Sequence, residues 1–181
     1  MSTPLWLLRV YFSFISMPQF LIRQQFTNEE VTALAPKIHS IIGTDSHLTV
    51  RARPWIHKRL MNGECLVALD RSEIAGFLFG VNIGRRFIEI NSWYVAPTYR
   101  GDALGDLLFS EICKNPRNIY FGNTYRKELV NYFKSKGFIE STPHILGLYF
   151  LHRYLFTRST ESIKNFLKKN EKVTFLVKYS S

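Results

Sequence analysis

The sequence predicts a mixed α/β domain, with a mostly antiparallel sheet of about six or seven strands flanked by helices. Two observations carry this expectation. Cys65–Leu69, Ile74–Phe79 and Phe87–Val95 are apolar, β-prone runs separated by tight turns at Asp70–Glu73 and Gly84–Arg86, the pattern of an antiparallel meander. After it the pattern changes. A strand ends at Val95, a helix follows, and a short strand comes at Ile119–Phe121, which calls for a parallel crossover. The length of 181 residues suits one domain, and 46% hydrophobic residues suffice for a core.

Taken in order, residues 5–22 are strongly apolar, but Arg9 and Pro18 interrupt them, and neither a basic residue before the run nor a cleavage pattern after it makes a signal peptide. Met17 begins what reads as a domain start. The expected organisation is an N-terminal extension over 1–16, a main domain over 17–156, and a basic helix and strand over 157–181 packed on it. No stable membrane insertion is expected. Phe20–Phe26 reads as a strand. Thr27 or Asn28 can cap a helix carrying Glu29 and Glu30 in its first turn and a stripe of Val31, Leu34, Ile38, Ile41 and Ile42, closed by Gly43. Pro54 opens a short second helix with Trp55, Ile56 and Leu60 inward. Arg51, Arg53, His57, Lys58 and Arg59 make that segment basic, with His57 read as a surface residue.

Along Phe87–Val95, simple alternation puts Phe87, Glu89, Asn91, Trp93 and Val95 on one face, and Ile88, Ile90, Ser92 and Tyr94 on the other. Pro97 ends the strand because it has no N–H to give a ladder. From Ala103 the apolar residues Ala103, Leu104, Leu107, Leu108 and Ile112 fall at helical spacing over 103–114. A helix that starts after a glycine-bearing loop presents unpaired N–H groups and partial positive charge, a site for phosphate. Asn123 or Thr124 is expected to cap the next helix, which has Leu129, Val130 and Phe133 inward and Gly137 at its end. Phe138, Leu146–Leu155 and Lys172–Tyr179 read as strands, and Ser159–Lys169 as a basic helix.

The charge of +10 is unevenly spread. Lys and Arg outnumber acids seven to three over residues 1–63 and seven to two over 141–181, but only ten to nine between them. The excess at both ends favours anionic partners, tRNA among them, or is simply a solvated basic surface. The two cysteines, Cys65 and Cys113, sit among apolar residues and read as core residues of a protein in a reducing, cytoplasmic setting. With no CxxC and no His/Cys cluster, no metal site is expected.

Two motifs add a resemblance. Val95 to Leu108 reads VAPTYRGDALGDLL, matching V-x-P-x-x-R-G-x-x-x-G-x-x-L, and Phe133, Gly137 and Phe138 match aromatic-x-x-x-G-F one helix later. Together, after a meander, they resemble the GNAT superfamily of acyl-CoA-dependent N-acyltransferases over about residues 20–156. The resemblance implies a splayed central strand pair, acetyl-CoA as co-substrate without a metal, and an amine acceptor. Backbone groups of Trp93, Tyr94 and Val95 would pair with the pantetheine arm, and amides of Arg100, Gly101, Asp102, Ala103, Leu104 and Gly105 would hold the pyrophosphate.

By the spacing seen in the histone-acetylating branch, Glu89 would be the general base. The alternative is a strand glutamate facing solvent or paired with Arg85 or Arg86. The chain departs from the motif at Ala103, at Asp102, and at Phe133, which replaces the tyrosine that protonates the leaving thiolate. Tyr132 is the nearest hydroxyl to take that role. Asn131 and Asn123 are the candidates for an asparagine contact to the cofactor. The acceptor could be a protein, a small amine or an aminoacyl group, and a homodimer is compatible. Two other readings stand beside acetyl transfer: a CoA-binding or regulatory module with little turnover, supported by Phe133, and a basic nucleic-acid binder.

Overall fold

A computed structural model describes residues 20–84, 86–101, 103–142, 147 and 173–179. The elements, in order, are β1 (Leu21–Arg23), α1 (Asn28–Thr44), α2 (Arg53–Met61), β2 (Cys65–Asp70), β3 (Glu73–Gly84), β4 (Phe87–Val95), a 3-10 turn (Pro97–Tyr99), α3 (Leu104–Ile112), β5 (Ile119–Thr124), α4 (Lys127–Ser135), β6 (Ile139–Ser141) and β7 (Thr174–Lys178). The seven strands form one sheet in the order β1-β2-β3-β4-β5-β7-β6. Only β4 and β5 run parallel; the other neighbours are antiparallel. The predicted meander, crossover and mixed sheet are all present.

Local chemistry explains the ends. Thr27 caps α1 in a reciprocal box: its hydroxyl accepts from Glu30 N, and the Glu30 carboxylate accepts from Thr27 N at 2.8 Å. The same carboxylate accepts from Arg23 Nη1 at 2.5 Å, which ties β1 to the start of α1 and lowers the Glu30 pKa. Gly137, at φ +84, lets the chain leave α4, with Phe138 N donating back to Phe133 O at 3.1 Å. Asn123 and Thr124 do not cap α4. Both still belong to β5, paired with Phe175 and Thr174, and Arg126 takes the cap position. Cross-strand pairing with β7 overrides the local capping preference.

The sheet separates two cores. On one face α1 and α2 cover Val67, Phe77, Phe79, Phe121 and Val177. On the other, α3 and α4 cover Leu66, Leu78, Ile90, Tyr120 and Leu176. β7 enters between β5 and β6 and supplies side chains to both cores, so the end of the chain is part of the sheet. The expected extension over 1–16, the strand at Leu146–Leu155 and the helix at Ser159–Lys169 lie outside the described residues. Among the described residues no helix is long and apolar enough to cross a membrane.

β4 contains the main departure from the expected alternation. Its register against β3 slips by one residue between Phe77↔Tyr94 and Phe79↔Asn91, and Ser92 there adopts φ +42. This is a β-bulge, one extra residue on β4. Before it, the odd positions Phe87 and Glu89 face α1 and α2. After it, Tyr94 takes that face, stacked on Phe77 with 5.2 Å between ring centres, and Trp93 and Val95 pass to the α3/α4 side. Glu89 and Trp93 therefore do not share a face, contrary to simple alternation.

Candidate active site

The site is built where two parallel strands part. β4 and β5 pair only through Phe87↔Ile119, Ile88↔Tyr120 and Glu89↔Phe121. β4 then continues to Val95 and β5 to Thr124 without further mutual pairing, so the sheet forks beyond Glu89. The β4 arm keeps its other edge on β3, and the β5 arm keeps its other edge on β7. Among the described residues each arm thus presents an edge to the fork, and backbone N–H and C=O groups on such an edge accept an extended chain as a further strand.

Glu89 stands at the base of the fork. Its side chain is 6% exposed, the one charged residue fully buried among the described residues. It lines a narrow cleft of about 20 Å³ with Asn91, Val81, Ile83, Arg51, Trp55 and Arg59. Two guanidinium groups line the same cleft. Both lie near Trp55, at 5.0 Å for Arg51 and 5.3 Å for Arg59 from the ring centre, in cation–π range. Arg51 Nη2 donates to Asn91 Oδ1 at 3.1 Å, and Ser92 Oγ donates to the same oxygen at 2.8 Å. Arg59 is 12% exposed and bonds Glu64 at 2.6 Å, while its Nε–H is buried with no acceptor. Arg51, Trp55, Arg59 and Asn91, which the fold brings to the same cleft as Glu89, are not singled out as candidates in the sequence. The available signal was the four-residue spacing of Trp55 and Arg59, which puts both on one side of α2, with Arg51 just before its N-cap.

The phosphate-loop candidates are arranged as a cradle at the end of the β4 arm. The 3-10 turn is anchored by Tyr99, whose hydroxyl donates to Asp70 at 2.6 Å. Gly101 adopts φ +97 with open space where a Cβ would stand. Ala103 sits at φ −65, so the motif's missing glycine is not needed for backbone conformation there. α3 has no side-chain cap on its first turn, which leaves its N–H groups for an anion. Leu104 is buried in the core and offers only its backbone. Gly105 has a second reason to be glycine, since a Cβ would lie 3.2 Å from Trp93 Cζ2. Arg100 is partly committed elsewhere: Nε donates to Val95 O at 3.2 Å, and its amide closes the 3-10 turn on Pro97 O at 3.3 Å. Asp102 lies outside the described residues.

On the α3/α4 side, Trp93 packs on Phe109 and Tyr132, at 5.5 and 5.0 Å between ring centres. Its indole Nε1–H is buried without an acceptor beside the open β4 arm. Tyr132 donates its hydroxyl to Asp106 Oδ1 at 2.5 Å, and Lys136 reaches the same oxygen at 2.7 Å. Burial, with that carboxylate next, pushes the Tyr132 pKa well up, so the hydroxyl stays protonated at neutral pH. Lys136 and Tyr132 together hold the Asp106 carboxyl below its usual range. Asp106, on α3, is thereby tied to Tyr132 and Lys136 on the α4 side. Phe133 is a core residue, 5% exposed, with its ring over Gly122 of β5. Asn131 is exposed on α4, while Asn123 lies on the β5 arm, on Phe121's face by alternation. Among the described residues no group of His, Cys, Asp and Glu is placed to hold a metal.

The open edge of β4, the cradle at Gly101 and the uncapped start of α3 fit a phosphorylated, extended ligand such as a CoA thioester. The comparisons agree. The family model described as "Acetyltransferase (GNAT) family" matches residues 28–138. No curated protein sequence matches the chain significantly. Among solved structures, Rv2747 from Mycobacterium tuberculosis in complex with CoA and NLQ superimposes with TM-score 0.65 at 15% identity, covering 87% of this chain and 97% of that one. N-acetylglutamate synthase from Neisseria gonorrhoeae, complexed with coenzyme A and N-acetyl-glutamate, gives 0.58 at 15%, covering 90% of this chain and 35% of that one. Arabidopsis thaliana Naa50, in complex with the bisubstrate analogue CoA-Ac-MVNAL, gives 0.56 at 12%, covering 88% and 97%. A forked mixed sheet, an anion cradle after its fourth strand and a family match over more than half its length place this chain in the GNAT family of acetyltransferases.

Proposed function

We propose that the protein is an N-acetyltransferase that moves the acetyl group of acetyl-CoA to an amine, with Glu89 as general base. The observation that carries this reading is the position of the buried Glu89 carboxylate at the point where β4 and β5 part. The cradle of Gly101, Ala103, Leu104 and Gly105 would hold the pyrophosphate, and the free β4 edge at Trp93, Tyr94 and Val95 would hold the pantetheine. Acetyl-CoA supplies the acetyl group in activated form. The acceptor amine forms a new C–N bond to the acetyl carbon as the C–S bond breaks, its electron pair staying on sulfur. Glu89 takes the proton that the amine nitrogen sheds, directly or through water. The products are the amide and CoA thiol.

Tyr132 is the candidate proton source for the departing sulfur. Its raised pKa keeps the proton in place, and delivery requires its hydroxyl to leave Asp106. The regulatory-module reading rests on Phe133. Its burial over Gly122 shows that it serves packing, so the missing hydroxyl is not by itself a sign of lost catalysis.

The test is thiol release from acetyl-CoA with a panel of amines. Glu89→Gln should lower kcat by about 100-fold or more, within the usual range for a lost general base, with CoA affinity unchanged. Tyr132→Phe should lower kcat about 10-fold or more with the KM for acetyl-CoA unchanged. Unchanged rates in Glu89→Gln would remove it as the base. Binding of CoA without turnover on any amine would favour the regulatory module.

A further inference from the structure

We infer that Tyr99 is a positioning residue for acetyl-CoA, holding the diphosphate cradle in its binding shape through a hydrogen bond to Asp70 and an edge-on contact with Phe20. This rests on the reading of Gly101, Ala103, Leu104 and Gly105 as that cradle and adds what fixes its shape. The residues that lead into it are open to solvent: Pro97, Thr98, Arg100 and Gly101 are exposed, and a Cβ at Gly101 would meet nothing within 4 Å. Ala96 is still tied to β3, its N–H donating to Ala75 O at 2.9 Å. Beyond it the backbone bonds of the 3-10 turn, Tyr99 N to Ala96 O at 2.9 Å and Arg100 N to Pro97 O at 3.3 Å, bend the chain without fastening it to another element. A loop ordered only when its ligand arrives loses affinity to its own conformational entropy, so the amides need a hold from elsewhere.

Two side chains of the turn reach out of it, and magnitudes decide between them. Arg100 Nη2 lies 4.0 Å from Asp45 with the arginine side chain 58% exposed, a surface ion pair that contributes little, and its Nε bonds Val95 O within the same strand-and-turn unit. Tyr99 gives its hydroxyl to the Asp70 carboxylate at 2.6 Å, a charge-assisted bond about twice as strong as a neutral one. The carboxylate raises the Tyr99 pKa and so keeps the proton on the donor. Asp70 is a firm platform. It ends β2 and pairs with Glu73 across a two-residue turn in which Arg71 takes φ +56, and β2 is itself held between β1 and β3. The Tyr99 ring adds a second hold: Phe20 meets it edge-on with 5.2 Å between ring centres, and both rings border the α3/α4 core. Leu104, at the start of α3, is buried in that same core. The loop is thus pinned by Tyr99 before Gly101 and by Leu104 after it. Phe20 stands directly before β1, so an edge strand of the sheet and the cofactor loop meet at one ring.

The test is calorimetry of CoA binding to the full chain. Tyr99→Phe keeps the ring on Phe20 and removes the hydrogen bond; it should raise Kd about 10-fold, the scale of one hydrogen bond to a charged group. Asp70→Ala should give the same loss, and the two substitutions together no more than either alone, because both remove one contact. Asp70→Asn keeps an acceptor and should stay within about 3-fold of the parent. Phe20→Ala keeps the hydrogen bond and loses the ring contact, and should raise Kd about 3-fold. In thiol release the KM for acetyl-CoA should rise by the same factors with kcat unchanged, which separates a hold on the cofactor from general damage to the fold. Four results would each overturn the inference and leave the acetyltransferase reading intact: parental Kd in Tyr99→Phe, additive losses in the double variant, Asp70→Asn as weak as Asp70→Ala, or a fall in kcat at unchanged KM. A parent chain that does not bind CoA would remove the cradle and the inference together.

Discussion

Ser92 is the residue through which the bulge in β4 can be tested. It holds φ +42, a region that costs a side-chain-bearing residue about 1–2 kcal/mol, and its hydroxyl donates to Asn91 Oδ1 at 2.8 Å. Valine there keeps that strain, adds the crowding of a branched Cβ worth about 1 kcal/mol, and loses the hydrogen bond, about 1 kcal/mol more. Ser92→Val should therefore destabilise by about 2 kcal/mol, or about 4–8 °C in Tm for a domain of this size. Glycine loses the same hydrogen bond and gains unfolded-state freedom, but it relieves the strain, so Ser92→Gly should stay within about 1 kcal/mol of the parent. Urea titration followed by tryptophan fluorescence reads both, because Trp93 follows the bulge directly. If valine chooses to erase the bulge, the residues after it change face, and Trp93 emission shifts in the native state as well. A Ser92→Val protein as stable as the parent, or a glycine variant as damaged as the valine one, would refute the account of β4.

Two glycines in the cradle should respond differently. Gly101→Ala meets no steric obstacle but strains φ +97, so CoA affinity by calorimetry should fall about 5-fold while Tm stays within about 2 °C. Gly105→Ala places a methyl 3.2 Å from Trp93 Cζ2 but gains about 1 kcal/mol of helix propensity, so stability should change by under about 1 kcal/mol while Trp93 fluorescence shifts. The Asp106 carboxyl is held below its usual range by Lys136 and Tyr132; a lowered folded pKa adds stability above the unfolded value of 3.8 and loses it as pH falls below that. Because Asp106 is largely exposed, the contribution is well under about 1 kcal/mol, and Asp106→Asn should slightly flatten the stability–pH curve between about pH 5 and 3. Burial pushes the Cys113 thiol up to about 12 and also raises Cys65, so at pH 8 about 1 in 10⁴ Cys113 side chains is thiolate. Native protein should react slowly with a disulfide reagent and take up two equivalents only when unfolded; rapid native labelling would refute the burial.

The elements that local chemistry dictates were legible in the sequence. Pro97 ends β4, Thr27 with Glu30 starts α1, and Gly137 ends α4, each through a backbone requirement that a few residues express. What long-range pairing decides was not. β3 runs from Glu73 to Gly84, past the expected end at Phe79, because β4 is long enough to pair it as far as Gly84. β7 looks like any β-prone run, and nothing local says that it enters between β5 and β6. The bulge is illegible for a related reason: Ser92 carries no glycine to mark a positive φ. Within the candidate site, motif spacing singles out Glu89 but not its neighbours, because Arg51 and Arg59 read as members of a solvated basic segment until the fold brings them to the same cleft.

The basic composition of the chain makes a prediction about salt that separates two kinds of acceptor. A polyanionic acceptor such as an aminoacyl-tRNA would be gathered by exposed lysines and arginines through release of counterions, so its KM would rise steeply, by a factor of at least about 10³ between 50 and 200 mM salt for six or more phosphate contacts. A small amine bound inside the fold is a different case, because salt screens buried contacts weakly, and its KM should change less than about 3-fold over the same range. A steep salt dependence with a small amine would mean that the acceptor binds on the exposed basic surface and not beside Glu89.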